Sequence, residues 1–522
     1  MKPNEYQISS EKFVFVKNDG KLHDKELVTK PVSYLKDAFN RFKRNKASIL
    51  AAIIIAVLVL FAIIGPWTTN YKVAYNDPYY GYCLPKNKLF SDAGIDFWDG
   101  CKTNSYTKQS FLYYYAMGVE TGNNAVKRQE YEVVQELLPN GKKASRYEIR
   151  LDTYNAVGVI FKELPLADYL ALQAYQNETG IQIIYPMTDP EKRPESPMDK
   201  KDANFWFETY AASNGNTTAN VTEKNGEFFF NNIYLAYDGK DLYNSKRVEG
   251  EQQLYSYAEM MQNGNSYRVR VSYKEYYEYY HSYVLKDGIK EASHLFGSTN
   301  SGQDIYVCLA GGARFSFILA IVVASINLLV GAIYGAIEGY YGGKIDLIME
   351  RIVDILASIP FMIVITLLKF HMEGSNHILI LFISFFLTGW IGMAGRTRMQ
   401  FYRFKNQEYV LAARTLGATD KRIMFKHIFP NAIGTLVTSC VLVIPGMIFS
   451  ETSLSYLGII NLETGNLTSV GTLLAKGQGY LMTYPHMIVP PAIFICLLML
   501  SFNLFGNGLR DAFNPSLRGS EE

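Results

Sequence analysis

The chain has 522 residues and a formal net charge of +2, too close to neutral to suggest a nucleic-acid binder. It has five scattered cysteines with no CxxC pair, and no HExxH, GxxxxGK[ST] or GxSxG. This leaves a zinc site, a P-loop of its own and a serine-hydrolase elbow without support.

Residues 1–46 read as a cytoplasmic N-terminal segment. In YLKDAFNRFKRNKAS, Leu35, Ala38, Phe39 and Phe42 share one helical face, with Lys36, Arg41, Lys43, Arg44 and Lys46 around it. That is an amphipathic helix at a membrane surface, and its basic charge places the N-terminus in the cytoplasm. A merely solvated basic helix gives the same orientation. ASILAAIIIAVLVLFAIIGPW, Ala47 to Trp67, has about the twenty residues that a bilayer-crossing helix needs. It starts too far into the chain for an ordinary signal peptide and no A-x-A site follows, so it reads as an uncleaved first span.

Residues 68–290 then fall outside the membrane, in a Tyr-rich insert long enough for a folded domain with its own core. YEIRLDTYNAVGVIF and SYRVRVSY alternate as strands do, and LADYLALQAYQ has helical spacing. IQIIYPMTDPEKRPESP reads as a strand leaving into a Pro-rich loop, and NGNTTANVTEKNG, Asn214 to Gly226, as an exposed turn-rich loop whose N-x-T sequons matter only in a glycosylating host. The expectation is an α+β domain. Its only cysteines are Cys83 and Cys101. An oxidising exterior would permit a disulfide between them; the alternative is two unpaired thiols. Cys308, Cys440 and Cys496 lie in or beside spans as small hydrophobes.

Residues 291–510 hold five further apolar runs, Phe315–Ile337, Ile352–Phe370, Ile378–Gly395, Ala432–Leu454 and Met487–Phe505. The third and fourth spans are joined by HMEGSNH, a hairpin. Six spans return the C-terminal tail, 511–522, to the cytoplasm. Arg396, Arg398, Arg403, Lys405, Arg414, Lys421, Arg422 and Lys426 after span four, and Arg510 and Arg518 after span six, agree with that orientation. Gly339, Gly342 and Gly343 suggest a tight cytoplasmic turn. Asp354 and Glu451 are ionisable groups in spans, where a pathway lining competes with a local hydrogen bond at a helix end. Pro360 would kink span three, as a gate or as ordinary bending.

Between spans four and five lies EYVLAARTLGATDKRIMFKHIFPN, Glu408 to Asn431. Ala412, Ala413 and Leu416 make a small apolar patch on a short helix, Gly417 allows a turn, and a second helix, DKRIMFKHI, ends at Pro430, which can open span five. Either this helix–turn–helix offers side chains to a cytoplasmic partner, or it is an ordinary amphipathic loop.

The spacing of Leu411-Ala412-Ala413, Gly417, His427 and Pro430 resembles the EAA loop of ABC-importer permeases, EAA-x3-G-x9-I-x-LP, with Leu411, His427 and Phe429 in place of Glu, Ile and Leu. AARTLGA followed by HI-PN is similar to the oligopeptide/dipeptide branch. HLFGSTNSGQDIYVCLAGGARFS, GYYGGKIDLIMERIVDILASIP, ETSLSYLGI and NLFGNGLRDAFNPSLRG resemble segments of that branch's C-type permease subunit, with Ser298, Thr299 and Gln303 in place of Thr, Asp and Arg. The resemblance covers about residues 30–67 and 294–520 and leaves out the insert.

It implies a polytopic α-helical membrane protein of six spans with the type I ABC importer permease fold, in a bacterial cell membrane, carrying the α+β insert. Loop 402–430 would be the coupling helix that docks in a groove of an ATPase subunit, through Leu411, Ala412, Ala413, Arg414, Gly417, Ala418, His427 and Pro430. The implied partners are a B-type permease subunit, two ABC ATPase subunits and an extracytoplasmic peptide-binding lipoprotein. Mg-ATP would belong to the ATPases, leaving this chain without a cofactor or catalytic residue. Two other readings stay open: a membrane-anchored receptor or adhesion protein acting through its exterior domain, and a family member importing nickel or another small solute.

Overall fold

The computed structural model describes residues 34–513, except positions 138, 140, 142, 186, 189–220, 225–226, 231–246, 250–251, 257 and 262–263. The first two helices are α1 (Tyr34–Arg44) and α2 (Lys46–Ile64), with the Asn45 side chain accepting from the Ser48 amide to cap α2. Ala38 and Phe42 of α1 are buried, while Phe39 is exposed. The apolar face of α1 is therefore only partly free for a membrane surface, because the C-terminal end of the last helix covers the rest. In α2, Ala51, Leu58 and Ala62 are buried while Leu50, Ile53, Val57 and Leu60 are exposed. An all-apolar helix with one packed face suits a span with lipid on the other side.

The insert follows, with α3 (Lys88–Asp92), β1 (Cys101–Tyr106), α4 (Lys108–Thr121), β2 (Val126–Leu137), β3 (Lys143–Asp152), β4 (Val159–Pro165), α5 (Leu166–Thr179) and α6 (Tyr273–Tyr279). It has two small cores. In the first, β3 lies antiparallel between β1 and β2, and α4 covers the sheet. Phe111 there stacks on Tyr147 with centroids 4.7 Å apart. In the second, the strand Ser266–Ser272 pairs antiparallel with β4, and Leu172, Ile183, Val269, Val271 and Tyr277 are buried together. The buried Arg270–Glu120 ion pair ties the two cores. Many of the tyrosines are core residues: Tyr80, Tyr154, Tyr273, Tyr276, Tyr277 and Tyr279 are all buried.

Several sequence expectations change here. YEIRLDTYNAVGVIF is two strands, β3 and β4, separated by a turn. Val221–Lys224, placed in an exposed loop, pairs as a hairpin with Glu227–Phe230; the N-x-T sequons lie outside the described residues or at this hairpin's edge. The bridge between Cys83 and Cys101 is absent, since both thiols are free. The Cys83 thiol is buried and directed to the Thr153 carbonyl, and Cys101 turns to its neighbour's carbonyl at Asp99. Burial pushes the Cys83 thiol well above its usual pKa, which suits an inert core residue.

The membrane core resumes with α7 (Ile305–Tyr341), α8 (Gly343–Ala357), α9 (Phe361–His371), α10 (His377–Gly389) and α11 (Ile391–Phe404). It ends with α12 (Glu408–Thr415), α13 (Asp420–Arg422), α14 (Phe429–Tyr456), α15 (Val470–Gln478) and α16 (Val489–Phe513). Phe42 of α1 meets Phe505 of α16 edge-on at 5.3 Å. Among the described residues, five helical segments are long and apolar enough to cross a membrane, six if α8 and α9 count as one broken span. Those two are bent by 72°. The third span is thus not one helix kinked at Pro360: α8 ends at Ala357, and Pro360 sits before the first residue of α9, where its missing N–H is harmless.

Helices α7 and α11 pack backbone to backbone. Gly331, Gly335 and Gly339 recur every fourth residue of α7, and a Cβ at Gly335 would stand 2.1 Å from the Ala394 carbonyl oxygen. Small residues at this spacing let two backbones approach within a membrane. Gly339, expected in a turn, belongs to this contact instead; Gly342 and Gly343, with φ of 68° and 57°, make the turn into α8. Gly335→Val is expected to destabilise the core by about 3 kcal/mol through overpacking, while Gly392→Ala on α11, which would meet nothing within 4 Å, should be neutral. Thermal unfolding of the two variants in detergent checks this.

Candidate functional site

The stretch between spans four and five folds as α12, a turn, and α13 followed by one wide helical turn over Ile423–Ile428 that runs directly into α14. The turn forms because the α12 C-terminus needs its carbonyls satisfied. The Leu416 amide donates to Ala412, Gly417 to Arg414 and Ala418 to Ala413, at 3.0–3.1 Å. Gly417 has φ +81°, and nothing lies within 4 Å of where its Cβ would be. The backbone angle, not space, requires glycine there.

The short helix is two-sided. Val410 is buried with Ile423, Met424 and Ile428 against Ala336 and Tyr340 of α7 and Phe401 of α11, and Ala413 is buried as well. Leu411 and Ala412 face outward, and Leu416 at the turn is 88% exposed. The expected patch of Ala412, Ala413 and Leu416 is therefore split, with Ala413 buried and the other two presented. Arg414 points outward and its guanidinium lies over the Tyr340 ring at 5.9 Å. Ala418 is half-buried. The His427 carbonyl accepts from Asn431 Nδ2 at 2.9 Å, and the same amide donates to Tyr409 Oη at 3.2 Å. Pro430 occupies the first turn of α14 inside a continuous helix rather than closing the preceding one.

Three side chains that the motif did not single out brace this region: one ties the hairpin to α7, and two join α11 and its end to α8 and α7. The Tyr340 hydroxyl donates to Asp420 Oδ1 at 2.6 Å, joining α7 to the start of α13. Arg398 of α11 donates to both Asp346 oxygens, at 2.6 and 3.1 Å, and pairs with Glu350 at 3.1 Å. Lys405 donates to the Gly339 carbonyl at 2.9 Å. The two-forked geometry of Arg with a carboxylate fixes orientation as well as adding energy. The first tyrosine of GYYGG and the Asp of ATDKR were visible in the sequence, but nothing there shows that they meet.

The remaining candidates are scattered. Asp354 is exposed on α8 and pairs with Arg351 one turn away. Glu451 is 1% exposed and sits between α7 and α14, accepting from Ser316 at 2.7 Å and Ser455 at 3.2 Å. It is an interhelical link, not a pore wall. Pro360 lies at the α8–α9 break. Among the described residues no group of three or more His, Cys, Asp or Glu could hold a metal ion.

Tyr340→Phe removes one hydrogen bond to a charged acceptor, about 1.5 kcal/mol. The expected outcome is roughly tenfold faster amide hydrogen exchange over residues 416–424, with the α7 amides unchanged.

Residues 327–519 match the family described as binding-protein-dependent transport system inner membrane component. Residues 33–85 match the N-terminal TM domain of oligopeptide transport permease C. The oligopeptide transport system permease protein OppC of Bacillus subtilis is 44% identical over 225 residues, 43% of this chain and 72% of that protein. OppC of Haemophilus influenzae is 40% identical over 44% of this chain and 72% of that protein. The dipeptide transport system permease protein DppC of Bacillus subtilis is 38% identical over 44% and 70%. A solved MetNI methionine ABC transporter in inward-facing conformations aligns with 38% of this chain and 94% of its own at 17% identity and a TM-score of 0.29, a likeness too distant to argue from.

Proposed function

This chain belongs to the permease C family of oligopeptide and dipeptide transport systems, and on that premise we propose that it forms one membrane half of an ATP-driven peptide importer. A second, B-type permease subunit would complete the pathway. Two ATPase subunits would bind Mg-ATP and engage this chain through the hairpin at Glu408–Ile428, and an extracytoplasmic binding protein would deliver peptide. The observation that carries this reading is the hairpin's two-sidedness: Leu411, Ala412 and Leu416 are presented while Val410 is sunk against α7 and α11 and Ala413 is buried. A force on the exposed side reaches the spans through a packed face and the Tyr340–Asp420 hydrogen bond.

The proposed cycle follows from that linkage. ATP draws the ATPases together, the hairpin follows them, and α7 with α11, held backbone to backbone, moves as one unit. The pathway then opens outward to receive peptide and inward after hydrolysis. Arg398, Asp346 and Glu350 keep α8 with that unit. A receptor acting only through its exterior domain would not need an apolar hairpin of this form on the opposite side.

Gly417 tests the coupling role. Asn tolerates positive φ and Val resists it. Gly417→Asn is expected to retain most ATP-driven uptake and Gly417→Val to lose at least about tenfold at equal membrane abundance, with peptide capture by the binding protein unchanged. Wild-type uptake by Gly417→Val would overturn the assignment. Orientation has its own test. A cysteine at Met482, 96% exposed in the loop before α16, should react with an impermeant thiol reagent from outside, and one at Lys421 should not. Reversed labelling would invert the proposed topology.

A further inference from the structure

The insert carries an apolar loop with no role in its own cores. On α3 and in the loop from it to β1, Leu89, Ile95 and Phe97 are exposed, at 78%, 46% and 62%. The rings of Phe90, Phe97 and Trp98 follow one another at 6.4 and 5.2 Å. A polar medium would not favour such a row on a loop tip. The loop is not mobile by design, because its base is fixed. Asp99 accepts from Lys127 and Arg150, and the Asp99 and Lys86 backbones form a bridge. Burial would raise the Asp99 pKa, but the hydrogen bonds from Lys127, the Cys101 amide and Arg150 outweigh it and hold the carboxyl down to about 2.

Beneath this loop is a cavity of about 500 Å³. Its walls are Val57 and Phe61 of α2, Ile493 and Phe494 of α16, and Trp98 and Phe296 from the outer side. Val57 and Ile493 are also part of the exposed faces of their spans, so the cavity opens onto the surface that faces lipid. Trp67, 75% exposed just past the end of α2, marks the interfacial level at which Trp is favoured. The one polar side chain in the wall is His486. Its Nε2 is 3.3 Å from the Ser298 carbonyl, and its buried Nδ1 has no hydrogen-bond partner among the described residues.

We propose that the loop 89–98 dips into the outer leaflet and, with the outer ends of α2 and α16, seats one acyl chain of a bilayer phospholipid. Water gains nothing in a cavity walled by aliphatic and aromatic groups, since it needs two to four polar partners. The volume lies within the range of small-molecule sites, and the medium at the cavity's mouth is hydrocarbon. The insert is thereby held at its membrane-facing edge by lipid as well as by the chain ends that tether it.

The test uses Trp98 as the reporter. Trp67→Phe, Trp206→Phe and Trp390→Phe together leave it as the sole tryptophan of the full chain. The assembled transporter is placed in vesicles of phosphatidylethanolamine and phosphatidylglycerol whose acyl chains are brominated or not. Bromine should quench Trp98 emission roughly twofold, because a seated chain buries most of its surface against the lining, while aqueous iodide should not quench it. Val57→Phe with Ile493→Phe, which fills the cavity with apolar rings, should remove most of the bromine effect while leaving peptide uptake intact. Quenching by iodide instead of bromine overturns the proposal. So does full bromine quenching after the cavity is filled, which would put Trp98 in bulk lipid. Quenching of the lone chain but not of the assembled transporter would assign the cavity to a partner subunit.

Discussion

The contact of α7 with α11 is the constraint on which the rest of the core depends. Over three glycines of α7, each one helical turn from the next, there is room for backbone and nothing else. Interhelical attraction in a membrane comes from close packing rather than from expulsion of water, so the shortest approach also sets the register. With that register fixed, Arg398 reaches Asp346 and Glu350, Lys405 reaches the Gly339 carbonyl, and Tyr340 stands over the start of α13. A shift by one residue would turn the guanidinium away from its carboxylates and leave buried charge unpaired.

The same helix holds the insert at its other end. Asp304 caps α7 by accepting from the Val307 amide and also meets His294 Nδ1 at 2.8 Å. Ser298 accepts from the Cys83 amide and donates to the Tyr80 carbonyl. Tyr82 stacks on Tyr484, at 4.7 Å, in the loop before α16. The insert's two chain ends lie side by side, with Tyr71 and His294 ring to ring at 4.7 Å. A large domain can be carried between two spans without separating them when its ends meet in this way.

Much of this was legible in the residues. The first span was, because its apolar run is uninterrupted and of bilayer length. Gly417 was, because a helix that stops at a lone glycine before polar residues implies a left-handed cap. The α8–α9 break was half legible: Pro360 marked where span three would bend, but hydropathy is blind to direction and gave no sign that the bend is 72° between two separate helices. Gly339 was misread because a glycine beside Gly342 and Gly343 suggests a turn, whereas its four-residue spacing from Gly335 signals close packing. The split of Ala412 from Ala413 depends on which side of a two-turn helix meets α7, which no local pattern supplies. Cys83 and Cys101 could be counted but not aimed.

The tyrosines of the insert core have a consequence for how it reaches its fold. Their hydroxyls are tied to particular acceptors: Tyr273 to Asp77, Tyr154 to the Leu84 carbonyl, Tyr75 to His281, which in turn meets Asp287. A polypeptide tethered at both ends to membrane spans folds within reach of hydrocarbon. A nascent core of Leu and Phe would partition into that hydrocarbon and stay there. Phenol rings prefer the boundary, so the unfolded segment is kept near the surface but out of the bilayer interior. In the assembled domain these hydroxyls meet their acceptors, and that pairing fixes the register of the cores the phenol rings help to fill.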